Sequence, residues 1–296
     1  MTKYVRDELK DEYGIIELQD KILEIMVYID FFCREHEITY YLMGGSALGA
    51  MRHGGFVPWD DDLDIFMDYA NFKKFEVCCE KYLDTERFYY QKRDTEELPY
   101  FFSKIRMNGT TCIEAVNANR PNMHQGIFVD VMCLNNAAPA GWKRRLQYNC
   151  AALLKAKALT GTAYHTEDRK KRIILLLTRI IVFGPIKKLL LYEIEKYNKT
   201  PTSELAHIFG RAKYKNSFYP TNCFSSGRIV PFEKVKLVVP CNVEEYLTIR
   251  YGRNYMKMPS EATKAIYTSH AMQWDTNRDY RDLSNVANHL KNRRKL

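Results

Sequence analysis

Apolar residues recur at three- and four-residue steps from Ile15 through Leu18, Ile22, Ile25 and Ile29 to Phe32, which predicts an amphipathic helix over residues 15–35. A short strand is expected over Thr39–Met43. Gly44-Gly45-Ser46 punctuates it as a turn, and a helical segment, Ala47–Arg52, opens there before His53-Gly54-Gly55 breaks it. A second strand is expected over Leu63–Met67, followed by a helix from Asn71 to Leu83. Further strands are expected at 86–91, 101–106 and 111–116, and at Gly126–Cys133, which holds Asp130 between two valines. After Pro139 the pattern changes. From Trp142 to about Tyr197 the chain reads as helical and basic, and from Phe218 as loop and hairpin. A short helix, VEEYLTIRYG, then ends at Gly252. The tail from Met272 is polar and expected to fray. The division expected is therefore 1–140 as an α/β core, 141–217 as a helical insertion or subdomain, and 218–296 as a return that completes the core.

One place breaks the alternation of apolar and polar positions. Asp60, Asp61, Asp62 and Asp64 crowd the entry to an apolar strand. Neighbouring carboxylates repel one another, and burying them is costly unless a counter-charge arrives. Residues two apart on a strand share a face. Asp62 and Asp64 should therefore project together, with Asp61 turned away and Asp60 preceding the strand. Two carboxylates on one face suit a hard divalent cation, most simply Mg²⁺ with Mn²⁺ as a substitute, and Asp130 on an adjacent strand would complete a triad. The spacing of an EF-hand loop is absent. Gly44 and Gly45 let backbone approach a ligand closely, and the helix opening there offers N–H groups to phosphate, with the Ser46 hydroxyl beside them. A glycine turn, a D-x-D strand and a later strand with a lone aspartate form the pattern of the nucleotidyltransferase fold, here an α+β core with a mixed sheet flanked by helices.

Charge and composition narrow the partners. The net charge is +9, from 45 basic and 36 acidic residues, which favours an anionic ligand or surface. The basic clusters at 143–145, 169–172 and 291–295 are not interleaved with stacking aromatics, which argues against nucleic acid. The eight cysteines show neither a C-x-x-C pair nor zinc-finger spacing, and read as free, mostly buried thiols of a reducing compartment. The first residues lack a signal-peptide core, and no apolar run reaches the roughly 20 residues of a membrane span. A cytoplasmic location is expected. The segment RKKRIILLLTRIIVFGPIKKLLL (169–191) leaves two readings open: a buried helix of the helical region, or an interfacial helix on an anionic inner leaflet.

The run GGSALGAMRHGGFVPWDDDLDIFM (44–67) closely resembles the LicD family of phosphotransferases, which includes the fukutin-type enzymes. FSKIRMNGTTCIE (102–114), HQGIFVDVMCLN (124–135) and EEYLTIRYGRNYMKMP (244–259) extend the resemblance, and His270 stands where the family often has a histidine. The family often follows its third aspartate with a Phe-Pro-Leu-Asp type of run. Here VDVMCLNNA puts Asn135 in place of that second acid. The resemblance implies Mg²⁺-dependent transfer of a phospho-alcohol, phosphocholine from CDP-choline first, to a hydroxyl of a cell-surface glycan such as a lipopolysaccharide, capsule or teichoic acid precursor, lipid-linked or free, with release of CMP. Glycerol- or ribitol-phosphate from another CDP-alcohol is the first alternative, and true nucleotidyl transfer to a small molecule or protein the second.

Carried over by position, Asp62, Asp64 and Asp130 would be the metal ligands, Gly44, Gly45 and Ser46 the phosphate cradle, and Asp62 or Asp130 the general base. Lys104 and Arg106 alternate on one strand face and would reach the same phosphates. Arg52 and His53 would brace the diphosphate or the carboxylates, unless His53 caps the helix end. Trp59 would offer a cation–π face to a choline head group, unless it is packing beside Pro58. The location expected from the charged start and the short apolar runs is the cytoplasm, with peripheral contact to the inner face of the membrane if 169–191 is interfacial.

Overall fold

The computed structural model describes residues 11–118, 120, 122–162, 164–264 and 270–282. Helix α1 (Ile16–Glu35) buries the predicted stripe, Leu18, Ile22, Ile25, Ile29 and Phe32. Strand β1 (Tyr41–Leu42) leads into α2 (Gly44–Arg52), and β2 (Asp64–Asp68) into α3 (Tyr69–Tyr82). The Asp68 side chain caps α3 by accepting from the Asn71 N–H at 2.8 Å. Strands β3 (Phe88–Gln91), β4 (Ser103–Met107), β5 (Thr111–Glu114) and β6 (Phe128–Asn136) follow. A helical stretch comes next, with α4 (Trp142–Leu159), α5 (Arg169–Ile181) and α6 (Gly184–Glu195). The chain then returns as β7 (Glu204–Ala206), β8 (Phe218–Pro220), the hairpin β9 (Gly227–Phe232) and β10 (Val235–Pro240), α7 (Val243–Tyr251), α8 (Glu261–Lys264) and β11 (Ala271–Asp275).

Seven strands form one mixed sheet in the order β1-β2-β6-β4-β3, with β7 pairing the far end of β6 and β8 pairing β7. Only the β2–β6 pair is parallel; the other pairings of this sheet are antiparallel. Parallel neighbours need a long crossover, and here α3, β3, β4 and β5 provide it. Helices α1 and α3 pack on the sheet side by side, with Phe32 meeting Phe75 edge-on at 6.0 Å. By strand alternation Phe66 faces away from Ile65 and Met67. It rests on Tyr246, Phe224 and His207, all from the later part of the chain. The return from 218 onward is thus part of the main hydrophobic core, which also holds Phe232, Leu237, Val243 and Leu247.

A second apolar cluster gathers Cys150, Leu154, Ala158, Val182 and Ile194 from the helical stretch with Phe101, Ala206, Ile208 and Phe218. Buried Gln147 ties this stretch to the sheet. It accepts from the Ala138 N–H and donates to the carbonyls of Asn136 and Ile194. The expected all-helical span 141–217 also contains a strand, because β7 pairs with Asn135 and Asn136 of β6. The buried-helix reading of 169–191 does not hold for α5, in which Thr178 is the one buried residue. All eight cysteines are free, and all except half-buried Cys241 are buried. Among the described residues no helix is long and apolar enough to cross a membrane. The tail beyond residue 282 lies outside the described residues.

His207 links fold and pH. It is 2 % exposed, meets Phe66 edge-on at 4.7 Å, and neither ring nitrogen has a hydrogen-bond partner among the described residues. Burial, with Arg250 and Lys155 nearby, pushes its pKa down to about 3. The unfolded chain takes up this proton near pH 6.5, so the stability owed to the neutral ring is complete above about pH 6.5 and drains away as the pH falls toward 3. His207→Phe should therefore lose less stability than wild type between pH 7 and pH 5 in urea titrations; equal losses would refute the assignment.

Candidate active site

Three separate anchors shape the aspartate run. Fully buried Gln19 on α1 donates to the carbonyls of Val57 and Asp60, at 3.2 and 2.8 Å, and so fixes the loop that enters the run. Glu233, in the β9–β10 turn, accepts from the Phe56 N–H at 2.9 Å. It approaches so closely that a Cβ on Gly55 would lie 2.0 Å from its carboxylate. Ser46 Oγ accepts from the Asp64 N–H at 2.9 Å, and the Met43 N–H donates to the Asp64 carbonyl at 3.0 Å. The start of β2 is thereby locked to the start of α2.

Gly44-Gly45-Ser46 is not a turn before the helix; it is the first turn of α2. No side chain of the segment caps this end; the Gly44 N–H instead donates to the Tyr246 hydroxyl of α7 at 2.8 Å. Gly44 has φ +51°, a conformation that favours glycine. At Gly45 a Cβ would stand 2.3 Å from Asp60 Oδ2, so only glycine leaves room for that carboxylate. Ser46 is buried, and its oxygen already serves the backbone of Asp64.

The β2–β6 register sets Asp64 directly beside Asp130. Strand parity does not govern the earlier aspartates, because β2 begins only at Asp64. Asp61 consequently does not turn away. It is buried, accepts from the Ala271 N–H at 2.8 Å, and lies 3.1 Å from His270 Nδ1. The same ring nitrogen is 3.2 Å from Asp62 Oδ2. His270 reaches this point because β11 pairs with β5, a long-range pairing with no local signal. Its pKa is pushed up to about 9, chiefly by the hydrogen bond to Asp61 and also by the charge of Asp62. Arg211, from the loop after β7, approaches the other ring nitrogen at 3.1 Å.

Burial first and mutual repulsion second hold the carboxyls of Asp60 and Asp64 well above the usual range. Asp62 and Asp130 are also raised by burial, with His270 pulling against the rise at the first and Lys104 at the second. Lys104 is 1 % exposed, and its ammonium lies 2.9 Å from Asp130 Oδ1 and 3.4 Å from Glu114 Oε1, over the Phe128 ring. Burial pushes Glu114 up, but Lys104 and Arg106 outweigh it and keep the carboxyl below its ordinary value.

Arg106 departs from the expectation of phosphate contact. It is fully buried and donates to Gln91 Oε1 and the Gly126 carbonyl, each at 2.7 Å, and to Glu114 Oε2 at 3.2 Å. A guanidinium committed to three partners inside the core has no face left for a ligand. Arg52 is also buried, and it holds the carbonyls of Tyr255 and Lys257 while its Nε donates to His53 Nε2. His53 is the C-cap residue of α2, and burial and Arg52 push its pKa down to about 4. Trp59 lies between Tyr13 and His53, and the Lys264 ammonium stands 4.7 Å from its ring centre. One face of the ring expected to receive a choline head group therefore already receives a cation of the chain itself.

The donor chemistry suits a hard divalent ion. The cluster is all oxygen, and Asp64 Oδ1 is buried with no hydrogen-bond partner among the described residues. Yet among the described residues no three acidic, histidine or cysteine side chains are placed to hold a metal by themselves. Mg²⁺ commonly takes only one or two protein carboxylates and fills its shell with water and substrate phosphates, and the Asp64–Asp130 pair fits that mode. The sequence reading made Asp60 and Asp61 supporting residues and gave no role to Glu114, Arg211 or Tyr246. Tyr246 and Glu114 fall within stretches that carried the family resemblance, which was their one signal.

Lys104 is a permanent cation in direct contact with Asp130 of the β2–β6 carboxylates. Lys104→Met should destabilise the protein by roughly 3–5 kcal/mol, the usual cost of breaking a buried ion pair from one side. Adding Glu114→Gln should recover part of that loss in urea unfolding. A Lys104→Met protein as stable as wild type would remove Lys104 from this role.

Residues 37–128 match the family model described as LicD/FKTN/FKRP, nucleotidyltransferase domain. The chain is also 25 % identical over 257 residues, 83 % of its own length and 92 % of the relative's, to the lipopolysaccharide cholinephosphotransferase LicD of Haemophilus influenzae. The matched domain contains α2, β2 and the whole aspartate run, and the likeness to the relative spans most of both chains. With that geometry behind them, the two matches show that the chain is similar to the LicD family of transferases, through its nucleotidyltransferase domain over residues 37–128 and more distantly along most of its length.

Proposed function

We propose that this protein transfers a phospho-alcohol, phosphocholine first, from a CDP-activated donor to a hydroxyl of a cell-surface glycan precursor, releasing CMP. The observation that carries this reading is the parallel register that sets Asp64 beside Asp130 at the N-terminal turn of α2. Similarity to a lipopolysaccharide cholinephosphotransferase supports the glycan acceptor and the choline head group.

In this reading the acceptor oxygen forms a bond to the phosphorus that bears the alcohol. The bond from that phosphorus to the bridging oxygen breaks, CMP leaves with the bridging oxygen, and the acceptor's proton passes to a carboxylate of the cluster, Asp62 or Asp130. Mg²⁺, with Mn²⁺ as a substitute, would be held by Asp64 and Asp130 with Asp62 beside them, and when bound would neutralise charge on the diphosphate. The N-terminal end of α2 would offer its remaining N–H groups to phosphate oxygens, beside the Asp60 carboxylate that packs against Gly45. His270 and Arg211 place positive charge beside Asp62, where the donor's anionic groups must enter. In this reading 1–140 and 218–296 make the catalytic unit, and 141–217 is an insertion that lends it β7 and Arg211. The work is done on the cytoplasmic side.

The test is a donor panel of CDP-choline, CDP-glycerol and CDP-ribitol with Mg²⁺ and a glycan acceptor, read by product analysis. CMP release with CDP-choline is expected. Pyrophosphate release from a nucleoside triphosphate, with all three donors untouched, would instead mean nucleotidyl transfer. Asp64→Asn and Asp130→Asn should each lower turnover by more than about a hundredfold, because even residues that merely support a ligand cost ten- to a hundredfold. Asp64→Asn should leave the unfolding temperature of the metal-free protein unchanged or higher, since it removes a buried, repelled charge. Full activity in either variant would overturn the metal assignment.

A further inference from the structure

One apolar face of the protein is uncovered. Helix α5 buries only Thr178. Along it and just past it, Ile173, Leu177, Ile180, Ile181 and Phe183 are 50–73 % exposed. The helix is attached from one side, by packing on α4 and by a hydrogen bond from Lys157 Nζ to the Arg179 carbonyl at 2.9 Å. Single exposed aliphatic residues need no explanation, but a contiguous face of them marks a surface that is covered in use.

The surrounding charge identifies the cover. Arg169, Lys170, Lys171 and Arg172 open α5, Arg179 lies within it, and Lys187 and Lys188 follow, with no acidic residue from Arg169 to Tyr192. Of these cations Lys187 is engaged by Asp94. A second copy of the chain, docked face to face, would bring the same cations against themselves with no carboxylate to meet them. What fits is a partner that is apolar within and negative at its edge. A bilayer with anionic lipid has both properties: its acyl boundary takes the aliphatic face, and its headgroups take the basic ring. At 13 residues α5 is about 20 Å long, too short to span a membrane but suited to lying in the interface. We propose that the exposed face of α5, with Phe183, docks this protein on an anionic lipid surface. The proposal is independent of the reaction assigned above, because no residue of α5 belongs to the aspartate cluster.

Vesicle flotation tests it, with phosphatidylcholine alone and with phosphatidylcholine mixed with phosphatidylglycerol, at low and physiological salt. Wild type should float with the anionic vesicles and not with the neutral ones. Ile173→Ser/Leu177→Ser/Ile180→Ser keeps every charge and should weaken binding by about tenfold or more. Arg169→Gln/Lys170→Gln/Lys171→Gln keeps the apolar face and should abolish the preference for anionic lipid. Unfolding midpoints accompany each variant; should the triple serine variant fail to fold, Ile180→Ser, at the most exposed of these positions, replaces it. Absence of wild-type flotation at low salt would overturn the proposal. Undiminished flotation of the serine variant would also overturn it, by reducing the effect to net charge. So would a wild-type dimer in sedimentation velocity that the serine variant breaks, since the face would then be covered by a second copy.

Discussion

Four carboxyl groups that repel one another are held at the entrance to one strand, and much of the surrounding structure compensates for that repulsion. Lys104 sits between Asp130 and Glu114, and His270 between Asp61 and Asp62. Neither cation lies against Asp60 or Asp64, whose carboxyls burial and neighbouring charge push upward. The protein thus neutralises the two flanks of its cluster and leaves the middle under-compensated. For the proposed reaction, in which the site would take a cation together with a phosphorylated donor, that imbalance is useful, and fixed lysines throughout would abolish it.

The anchors of the cluster come from distant parts of the chain. Gln19 holds the entering loop, Glu233 crowds Gly55, Tyr246 takes the first N–H of α2, and the β5–β11 pair delivers His270. Each is a buried or half-buried polar contact, which costs more to leave unmade than it gives when made. The site is therefore over-determined in position although its charges are unfavourable, the usual trade between stability and function. The helical stretch has a different economy. Its inner side packs into a second core with Phe101 and Phe218, while α5 faces outward and buries little of its aliphatic surface in the fold.

Several elements could be read without coordinates because their signal is local. The stripe of α1, strand β2, the Val-Asp-Val centre of β6, the β9–β10 hairpin and the Gly252 end of α7 all depend on periodicity or on a single residue's backbone preference. Arg106 shows where local reading fails. Its alternation with Lys104 is real, and both reach Glu114, but alternation cannot tell a ligand-facing side chain from one sealed in the core. Trp59 fails for the same reason, since the cation on its face comes from Lys264, some two hundred residues away.

The sequence by itself determined that carboxylates would gather at a glycine-rich helix start, because the D-x-D spacing, the glycines and the lone Asp130 are all present in one dimension. Tertiary structure decided which of them meet. The parallel β2–β6 register chose Asp130 as the neighbour of Asp64, β2's late start freed Asp61 to bind His270, and the antiparallel β4–β6 register placed Lys104 beside Asp130. Register is set by the packing of whole faces and by long-range pairing. No local pattern encodes it, and for that reason the counter-charges of this site became visible only in the fold.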